Sequence, residues 1–216
     1  TFASFYPGDN AQLITNLKNA AIGQGAPLLF VWGSRGSGRS HLLHATCAEV
    51  NASGDAAAYI PLEQHAMFEP GVLEQMEQLP LVCLDNLDAI AGNAQWEESL
   101  FDFFNRWKEH NHGSLIVTAA TAPRKIGLCL PDLASRLDWG LSYQLHELDD
   151  EGKLSALQLR AELRGLKLPV DVGRFLLHRL SRDMRTLLST LDELDSASLD
   201  AKRKLTIPFV KETMGL

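Results

Sequence analysis

The chain has 216 residues, of which 45% are hydrophobic and 22% charged, and its formal net charge is −7 at pH 7. This composition is typical of a globular protein with a sizeable core, and no apolar run approaches the ~20 residues needed to span a bilayer. The negative charge disfavours a dedicated nucleic-acid binder, which needs clustered Lys and Arg. The first residues lack the basic and apolar segments of a signal peptide, and without an initiator Met the chain is expected to be a trimmed fragment.

Short β-like runs alternate with helical stretches over the first two-thirds of the chain. The clearest runs are apolar, as strands covered on both faces of a parallel sheet should be, and they occupy residues 28–32, 81–84 and 115–117. Residues 57–60 and 141–145 are weaker strand candidates. A helical pattern at 95–109 predicts a core face made of Trp96, Leu100, Phe101, Phe104 and Trp107. Strands alternating with helices predict a parallel sheet that binds its ligand beyond the strands' C-terminal ends.

Strand signals stop after about residue 148, where the acidic run 147–151 favours a solvated linker and a helix start. Helical patterns follow at 153–164, 172–180, 184–199 and 206–214. In the last of them Thr206 is a good N-cap and Pro208 sits in the tolerated first turn. The sequence therefore predicts an α/β nucleotide-binding core at residues 1–148 and a small all-helical domain at 149–216.

The three cysteines, Cys47, Cys83 and Cys129, are isolated in apolar stretches and lack metal-ligand spacing. This pattern predicts buried thiols in a reducing compartment.

A glycine-rich segment between the first strand and the next helix has the spacing of a P-loop, G-x-x-x-x-G-K-[ST], with Arg39 in the Lys position. Its glycines let backbone N–H groups turn toward phosphate oxygens, and the helix N-terminus adds the positive end of its dipole. The Ser40 hydroxyl is the expected Mg²⁺ ligand. The candidate phosphate-binding residues are Gly33, Arg35, Gly36, Ser37, Gly38, Arg39, Ser40 and the adjacent His41, although His41 could equally be a helix-surface residue.

A second acidic element follows the strand at residues 81–84. Asp85 ends this run, where a carboxylate can hold Mg²⁺ opposite Ser40. The next position, where active enzymes of this type carry a second acid, is Asn86, which can orient a water but cannot take its proton. Asp88 could substitute for that acid, but on a strand-to-turn segment we expect it to face elsewhere.

With these elements in place, the chain resembles the AAA+ ATPase part of the bacterial replication initiator DnaA and, more closely, the DnaA-related regulators of the Hda family. The resemblance covers essentially the whole chain. It is carried by residues 1–10 (TFASFYPGDN), 33–45 (GSRGSGRSHLLHA), 84–86 (LDN), 131–140 (PDLASRLDWG), 182–187 (RDMRTL) and 204–211 (KLTIPFVK).

The resemblance implies an AAA+ P-loop core, with a parallel five-stranded sheet between helices, followed by a helical lid. It also implies a protein that binds ADP, or another nucleoside diphosphate, with Mg²⁺ if a metal is held. Such a protein, together with the DNA-loaded sliding clamp, stimulates hydrolysis of the ATP held by DnaA and prevents re-initiation of replication. Arg136 matches the arginine finger that would enter the nucleotide site of the neighbouring DnaA. From the residues alone, an intramolecular ion pair with Asp132 or Asp138 is the alternative.

By the same resemblance, Arg185 matches a lid arginine that senses nucleotide; its alternative is an exposed helix residue beside Asp183. The backbone around Phe5, Tyr6 and Pro7 should lie against the base, although the two aromatic side chains would also suit a core.

Several residues depart from the family pattern. Arg39 and Asn86 are two of them, and Ala119-Ala120 stand where DnaA has polar residues. We therefore expect weak or no hydrolysis by this chain itself. The expected partners are DnaA and the DNA polymerase III sliding clamp, the latter through an N-terminal peptide absent from these residues. No sequence-specific DNA binding is expected, self-association is left open, and the expected location is the bacterial cytoplasm, at the nucleoid during replication. The alternatives are a self-sufficient AAA+ ATPase of the motor or clamp-loader kind and a DNA-binding helicase loader.

Overall fold

The structure is a computed structural model that describes residues 1–180 and 183–215. Its contacts divide the chain into two compact units. The first comprises Thr1–Phe2 and Asn10–Glu147, and the second comprises Ala3–Asp9 and Leu148–Leu216. The segment Ala3–Asp9 thus groups with the second unit, although its sequence position suggested the core. Whether residues 1–148 and 149–216 are independent domains stays a prediction, and the predicted second domain includes Ser181, Arg182 and Leu216, which lie outside the described residues.

The first unit is built on a five-stranded sheet with the order β2-β3-β4-β1-β5, in which all four pairings are parallel. The strands are β1 (Leu28–Trp32), β2 (Ala57–Pro61), β3 (Leu81–Asp85), β4 (Ser114–Ala119) and β5 (Leu141–Gln144). The three central strands are almost completely buried, as their apolar runs predicted, whereas the edge strand β5 is mostly exposed. The predicted five-stranded parallel sheet is confirmed.

Four helices belong to the first unit: α1 (Ala11–Ala21), α2 (Arg39–Ala52), α3 (Ala94–His110) and α4 (Pro131–Leu137). Helix α3 begins at the Asn93 cap, whose side chain accepts a hydrogen bond from the Trp96 N–H. Its buried face contains Phe103 in place of the predicted Phe101, which is only half-buried. This helix packs its aromatic face into the same core as the sheet residues of β1, β3 and β4.

The second unit consists of four helices with their own apolar core: α5 (Asp150–Glu162), α6 (Val170–Arg179), α7 (Met184–Ala201) and α8 (Ile207–Met214). Side-chain caps set three of the starts. Asp149, Asp183 and Thr206 each accept a hydrogen bond from a backbone N–H of the first helical turn, which satisfies a donor that would otherwise lack a partner. Leu157, Leu176 and the other leucines on the inner faces form the core.

The predicted state of the cysteines holds for two of the three. Cys47 on α2 and Cys83 on β3 are buried, with 3.6 Å between their sulfur atoms. Burial raises the pKa of the Cys83 thiol. Cys129 is exposed, so the prediction is wrong there, because its segment forms a surface loop before α4 instead of entering the core.

Over the described residues, each helix is too short or too polar to span a membrane.

Candidate functional site

The glycine-rich segment leaves β1 at its C-terminal end and enters α2 directly. Gly36 and Gly38 have φ angles of 86° and 104°, in the left-handed region that glycine adopts without strain. At Gly33 a Cβ atom would lie 2.8 Å from the carbonyl oxygen of Leu145, so this position also requires glycine. The loop therefore has the backbone shape of a phosphate cradle at the N-terminus of a 14-residue helix.

Two buried polar atoms of the cradle, Ser37 Oγ and Arg39 Nη1, have no hydrogen-bond partner among the residues that the structure describes. The Arg39 side chain is only 8% exposed. Burial lowers the pKa of its guanidinium, and the Asp88, Asp85 and Glu63 carboxylates act in the opposite direction. Since a buried donor without an acceptor is unfavourable by about 1–3 kcal/mol, this pair of atoms suits an anion placed in the loop.

The other loop residues face different neighbours. Ser34 donates a hydrogen bond to the Glu147 carboxylate, and Arg35 lies on the surface with its guanidinium 3.8 Å from Glu63. The His41 ring lies 3.1 Å from the carbonyl oxygen of Thr1. Of the candidate side chains, Ser37 and Arg39 therefore have buried polar atoms in the loop, whereas Arg35 lies on the surface.

Asp85 at the end of β3 is 1% exposed and lies at the centre of a hydrogen-bond chain. One carboxylate oxygen accepts the hydroxyl of Thr118 from β4. The same Thr118 oxygen accepts the backbone N–H of Asn86 at 3.0 Å. Asn86 has a φ of 58°, and its left-handed conformation turns the chain out of β3. Asn86 thus lies beside Asp85 but has no acidic group to offer a water.

Tyr59 is a site residue that the sequence reasoning missed. Its hydroxyl donates to the second oxygen of Asp85 at 2.7 Å, and the Ser40 side chain lies near enough to affect its pKa. Burial raises the pKa of the Tyr59 phenol, the Asp85 carboxylate raises it further, and Ser40 acts in the opposite direction. The phenol therefore keeps its proton at neutral pH.

A signal for Tyr59 and Thr118 was present in the sequence. Tyr59 pairs with Cys83 in the β2–β3 ladder, and Val117 pairs with Leu84 in the β3–β4 ladder. Paired residues of neighbouring strands share a sheet face, and side chains repeat every two residues. Polar residues next to the C-terminal ends of both neighbouring strands were therefore candidates to meet Asp85.

Asp88 faces the phosphate loop, so the expectation that it points elsewhere is wrong. One carboxylate oxygen lies 4.0 Å from Arg39 Nη1 and accepts the N–H of Ala120 at 2.8 Å. The cause is the backbone: a short 3₁₀ turn at Leu87–Ile90 follows the left-handed Asn86 and directs the chain back toward the sheet edge. At 4.0 Å the interaction between Asp88 and Arg39 is electrostatic, because the distance is too long for a hydrogen bond.

The pairing of Ser40 with Asp85 does not present open ligands to Mg²⁺. Both carboxylate oxygens accept hydroxyl hydrogens, from Thr118 and Tyr59, and Ser40 contacts the same phenol. Over the part of the chain that the structure describes, no cluster of three or more His, Cys, Asp or Glu side chains is arranged to hold a metal ion. In this arrangement the residues do not fit a magnesium ion.

Arg136 lies in the last turn of α4 and is half-buried. Its guanidinium carbon is 3.9 Å from the centroid of the Phe101 ring, and one of its nitrogens donates to the Asn105 side chain. Asp132 and Asp138 were the alternative intramolecular partners, and Asp138 instead pairs with Arg124 at 2.7 Å. Within residues 1–180 and 183–215, no carboxylate lies within ion-pair distance of Arg136, so the positive charge is held by an aromatic face and an amide.

The four remaining candidates belong to the second unit. Phe5 and Tyr6 are half-buried, Pro7 is exposed, and Arg185 is exposed in the first turn of α7. Neighbouring Asp183 caps this helix, and hydrogen bonds from the Thr186 backbone lower the pKa of its carboxyl group. The contacts of these four residues with a nucleotide stay predictions.

A parallel sheet with a P-loop after its first strand, followed by a small helical unit, defines an AAA+ protein. The family model described as the bacterial DnaA ATPase domain matches residues 1–144, and the one described as the Hda lid domain matches residues 150–214. The chain belongs to the bacterial DnaA ATPase-domain family, as a Hda-like, DnaA-related AAA+ protein.

Solved structures agree on this fold. Domain III of the replication initiation protein DnaA from Thermotoga maritima has a TM-score of 0.82 at 21% identity, covering 100% of this chain and 95% of that one. AMPPCP-bound DnaA from Aquifex aeolicus has a TM-score of 0.72 at 22% identity, covering 86% and 61%. The RuvB Holliday junction branch migration motor of Thermotoga maritima has a TM-score of 0.71 at 15% identity, covering 100% and 73%. These likenesses establish the fold.

Proposed function

We propose that this chain is a regulator that binds a nucleoside diphosphate, with ADP as the expected one. In this state it stimulates ATP hydrolysis by DnaA, and Arg136 acts in trans as the arginine finger. The observation that carries the proposal is the state of Arg136. Its guanidinium is held by Phe101 and Asn105 and is not neutralised by a carboxylate. An arginine finger needs such a group, held in place and still charged.

The nucleotide part of the proposal rests on the phosphate loop. Ser37 Oγ and Arg39 Nη1 lack partners although they are buried, and phosphate oxygens would supply them. The family resemblance adds Arg185 and the backbone of Phe5, Tyr6 and Pro7 as proposed nucleotide contacts.

The chain's own hydrolytic ability is weak in this proposal. Asn86 stands where a catalytic acid is needed, and its amide cannot accept a proton from water. A finger supplied to a partner raises the hydrolysis rate by about 10³–10⁵, or roughly 4–7 kcal/mol of barrier. A protein with a poor site of its own can therefore still control hydrolysis on its partner.

The cellular setting follows from the proposed role. DnaA is the partner, the DNA polymerase III sliding clamp brings the two proteins together, and the location is the cytoplasm near replicating DNA. The outcome of the reaction is a lower level of ATP-bound DnaA and fewer repeated initiations.

The test is single-turnover ATP hydrolysis by DnaA with DNA-loaded clamp, with and without this protein pre-incubated with ADP. The protein should carry its native N-terminus. We expect stimulation that is lost in Arg136→Ala. The matched control is Arg124→Ala, which removes an exposed arginine paired with Asp138 and should leave stimulation unchanged. Equal stimulation by wild type and Arg136→Ala would overturn the finger assignment.

One observation favours a second candidate, an ATPase that acts alone. The Asp88 carboxylate faces Arg39 across 4.0 Å and could replace the missing acid. Steady turnover by purified protein that disappears in Asp88→Asn would support this candidate. If the wild type hydrolyses ATP no faster than Asp88→Asn, this second candidate is overturned.

A further inference from the structure

The region between Ser40 and Asp85, where P-loop proteins hold a magnesium ion, is taken up by the side chain of Tyr59. The phenol hydroxyl donates to Asp85 at 2.7 Å, and the Ser40 side chain lies near it. The ring is held from its face as well, because the His44 ring of α2 lies 4.0 Å away, centroid to centroid, at an angle of 33°. Contacts from β3 and α2 thus hold Tyr59 in this position.

The Asp85 carboxylate is saturated by donors on both oxygens. Tyr59 occupies one, and Thr118 occupies the other while it also accepts the Asn86 N–H. The Asp85 residue is 1% exposed, so its carboxylate has little access to solvent. Magnesium requires near-octahedral oxygen ligands at about 2.0–2.1 Å and gives up its waters reluctantly. Entry of the hydrated ion would require the phenol to leave and two hydrogen bonds to break.

Positive charge for a diphosphate is available without a metal. Arg39 carries a buried guanidinium with one nitrogen lacking a partner, and the N-terminus of α2 supplies backbone donors. An arginine fork binds phosphate through two parallel hydrogen bonds, and it is longer and broader than the usual lysine. Arg39 can therefore provide charge compensation that a lysine site would share with magnesium.

We propose that the phosphate loop of this protein binds its nucleoside diphosphate without a divalent cation, because the Tyr59 hydroxyl holds the metal position between Ser40 and Asp85. The inference rests on the proposed function to the extent that it needs a nucleoside diphosphate in the loop. It adds that the bound nucleotide is metal-free and that one phenol is responsible.

The experiment measures ADP binding by calorimetry in EDTA and in saturating Mg²⁺, for the wild type and for Tyr59→Phe. For the wild type we expect the dissociation constants in EDTA and in Mg²⁺ to agree within about twofold. A tenfold difference would correspond to about 1.4 kcal/mol of binding free energy. Tyr59→Phe frees one Asp85 oxygen and the Ser40 hydroxyl, so its ADP affinity should rise in Mg²⁺ by about tenfold or more over EDTA.

Tyr143→Phe is the matched control. This tyrosine of β5 also has a hydrogen-bonded hydroxyl, which accepts from Asn16 at 2.8 Å, and it lies outside the phosphate site. Its ADP binding should stay insensitive to Mg²⁺. A second readout is Mn²⁺ electron paramagnetic resonance, in which the wild type with ADP should retain no more Mn²⁺ than ADP alone, whereas Tyr59→Phe should retain more.

The outcomes separate the two proposals. Wild-type ADP affinity that falls about tenfold or more in EDTA, with Mn²⁺ retained on the protein, overturns the metal-free inference and leaves the proposed function intact. Absence of ADP binding in both buffers overturns the nucleotide part of the proposed function and the inference with it. The wild-type comparison needs no variant, so a Tyr59→Phe protein that failed to fold would still leave a decisive result.

Discussion

Two arginines of the first unit occupy opposite environments. Arg39 in the phosphate loop is 8% exposed, faces Asp88 and has a nitrogen without a hydrogen-bond partner. Arg136 in α4 is half-buried, has its guanidinium carbon 3.9 Å from the centroid of the Phe101 ring and donates to an amide. Acidic groups surround the first arginine, whereas an aromatic ring and a neutral polar group hold the second.

The difference shows how one side chain can serve two purposes. A buried guanidinium with an unfilled donor gains most when an anion enters its own site, so Arg39 suits a ligand bound by this chain. A guanidinium stacked on a ring keeps its charge and its planar orientation at little entropic cost. Arg136 therefore suits an anion that belongs to another molecule.

The largest expected effect separates charge from shape at the second arginine. Arg136→Lys keeps the positive charge but loses the planar group that stacks on Phe101. Since a finger supplies about 10³–10⁵ in rate, loss of its fork geometry should reduce stimulation of DnaA on the order of 10²-fold. Single-turnover hydrolysis measures this, and full stimulation by the lysine variant would mean that charge alone suffices.

The next effect concerns the first arginine. Arg39→Ala removes charge-assisted hydrogen bonds worth about 1.5–3 kcal/mol each, so ADP affinity should fall by roughly 10–100-fold. Calorimetry of the folded variant, with its thermal melt recorded beside it, measures the loss. Arg124→Ala serves again as the surface control. Unchanged ADP affinity in Arg39→Ala would show that Arg39 Nη1 does not hydrogen bond to the phosphates.

A smaller effect tests how Arg136 is held. Phe101→Leu removes the aromatic face but retains an apolar side chain, and an exposed cation–π contact is worth about 0.5–1 kcal/mol. Stimulation should therefore fall about 2–5-fold. Phe101→Tyr keeps the ring and should behave as the wild type. An equal loss in both variants would point to packing of α3 as the cause.

The smallest effect concerns the acid beside Arg39. Asp88→Asn keeps an oxygen for the Ala120 N–H and removes a negative charge near the phosphates, so ADP should bind about twofold more tightly at low salt. The gain should shrink as ionic strength rises, because screening shortens the reach of the charge. Weaker binding by Asp88→Asn would instead indicate that the acid orients Arg39.

The sequence was sufficient for the sheet and for the phosphate loop. Apolar runs predicted the three central strands, weaker patterns at 57–60 and 141–145 predicted the two edge strands, and the loop spacing predicted the Gly36 and Gly38 backbone that the structure has. These features depend on local composition, which a sequence displays directly. Helix α1 went unpredicted because its apolar residues Leu13 and Leu17 are few and lie between polar ones.

Contacts between side chains of different strands or helices were harder to predict from the sequence. Tyr59 meets Asp85 only because β2 and β3 pair in one particular register, and Asp88 faces Arg39 because Asn86 takes a left-handed conformation. A pairing register and a single backbone angle leave little trace in composition. The contact of Arg136 with Phe101 is similar, since it joins residues of α4 and α3 that lie far apart in the chain.

The strand order also bears on how the protein is made. Strand β1 pairs with β4 and β5 and with neither β2 nor β3, so Leu28 finds its partner at Leu115. Long-range parallel pairing is slow because a large loop must close first. On the ribosome, where chains fold as they emerge, the phosphate loop has no completed sheet behind it until Ser114–Ala119 has been synthesised. A nascent chain would thus acquire its nucleotide site late, after more than half of its residues exist.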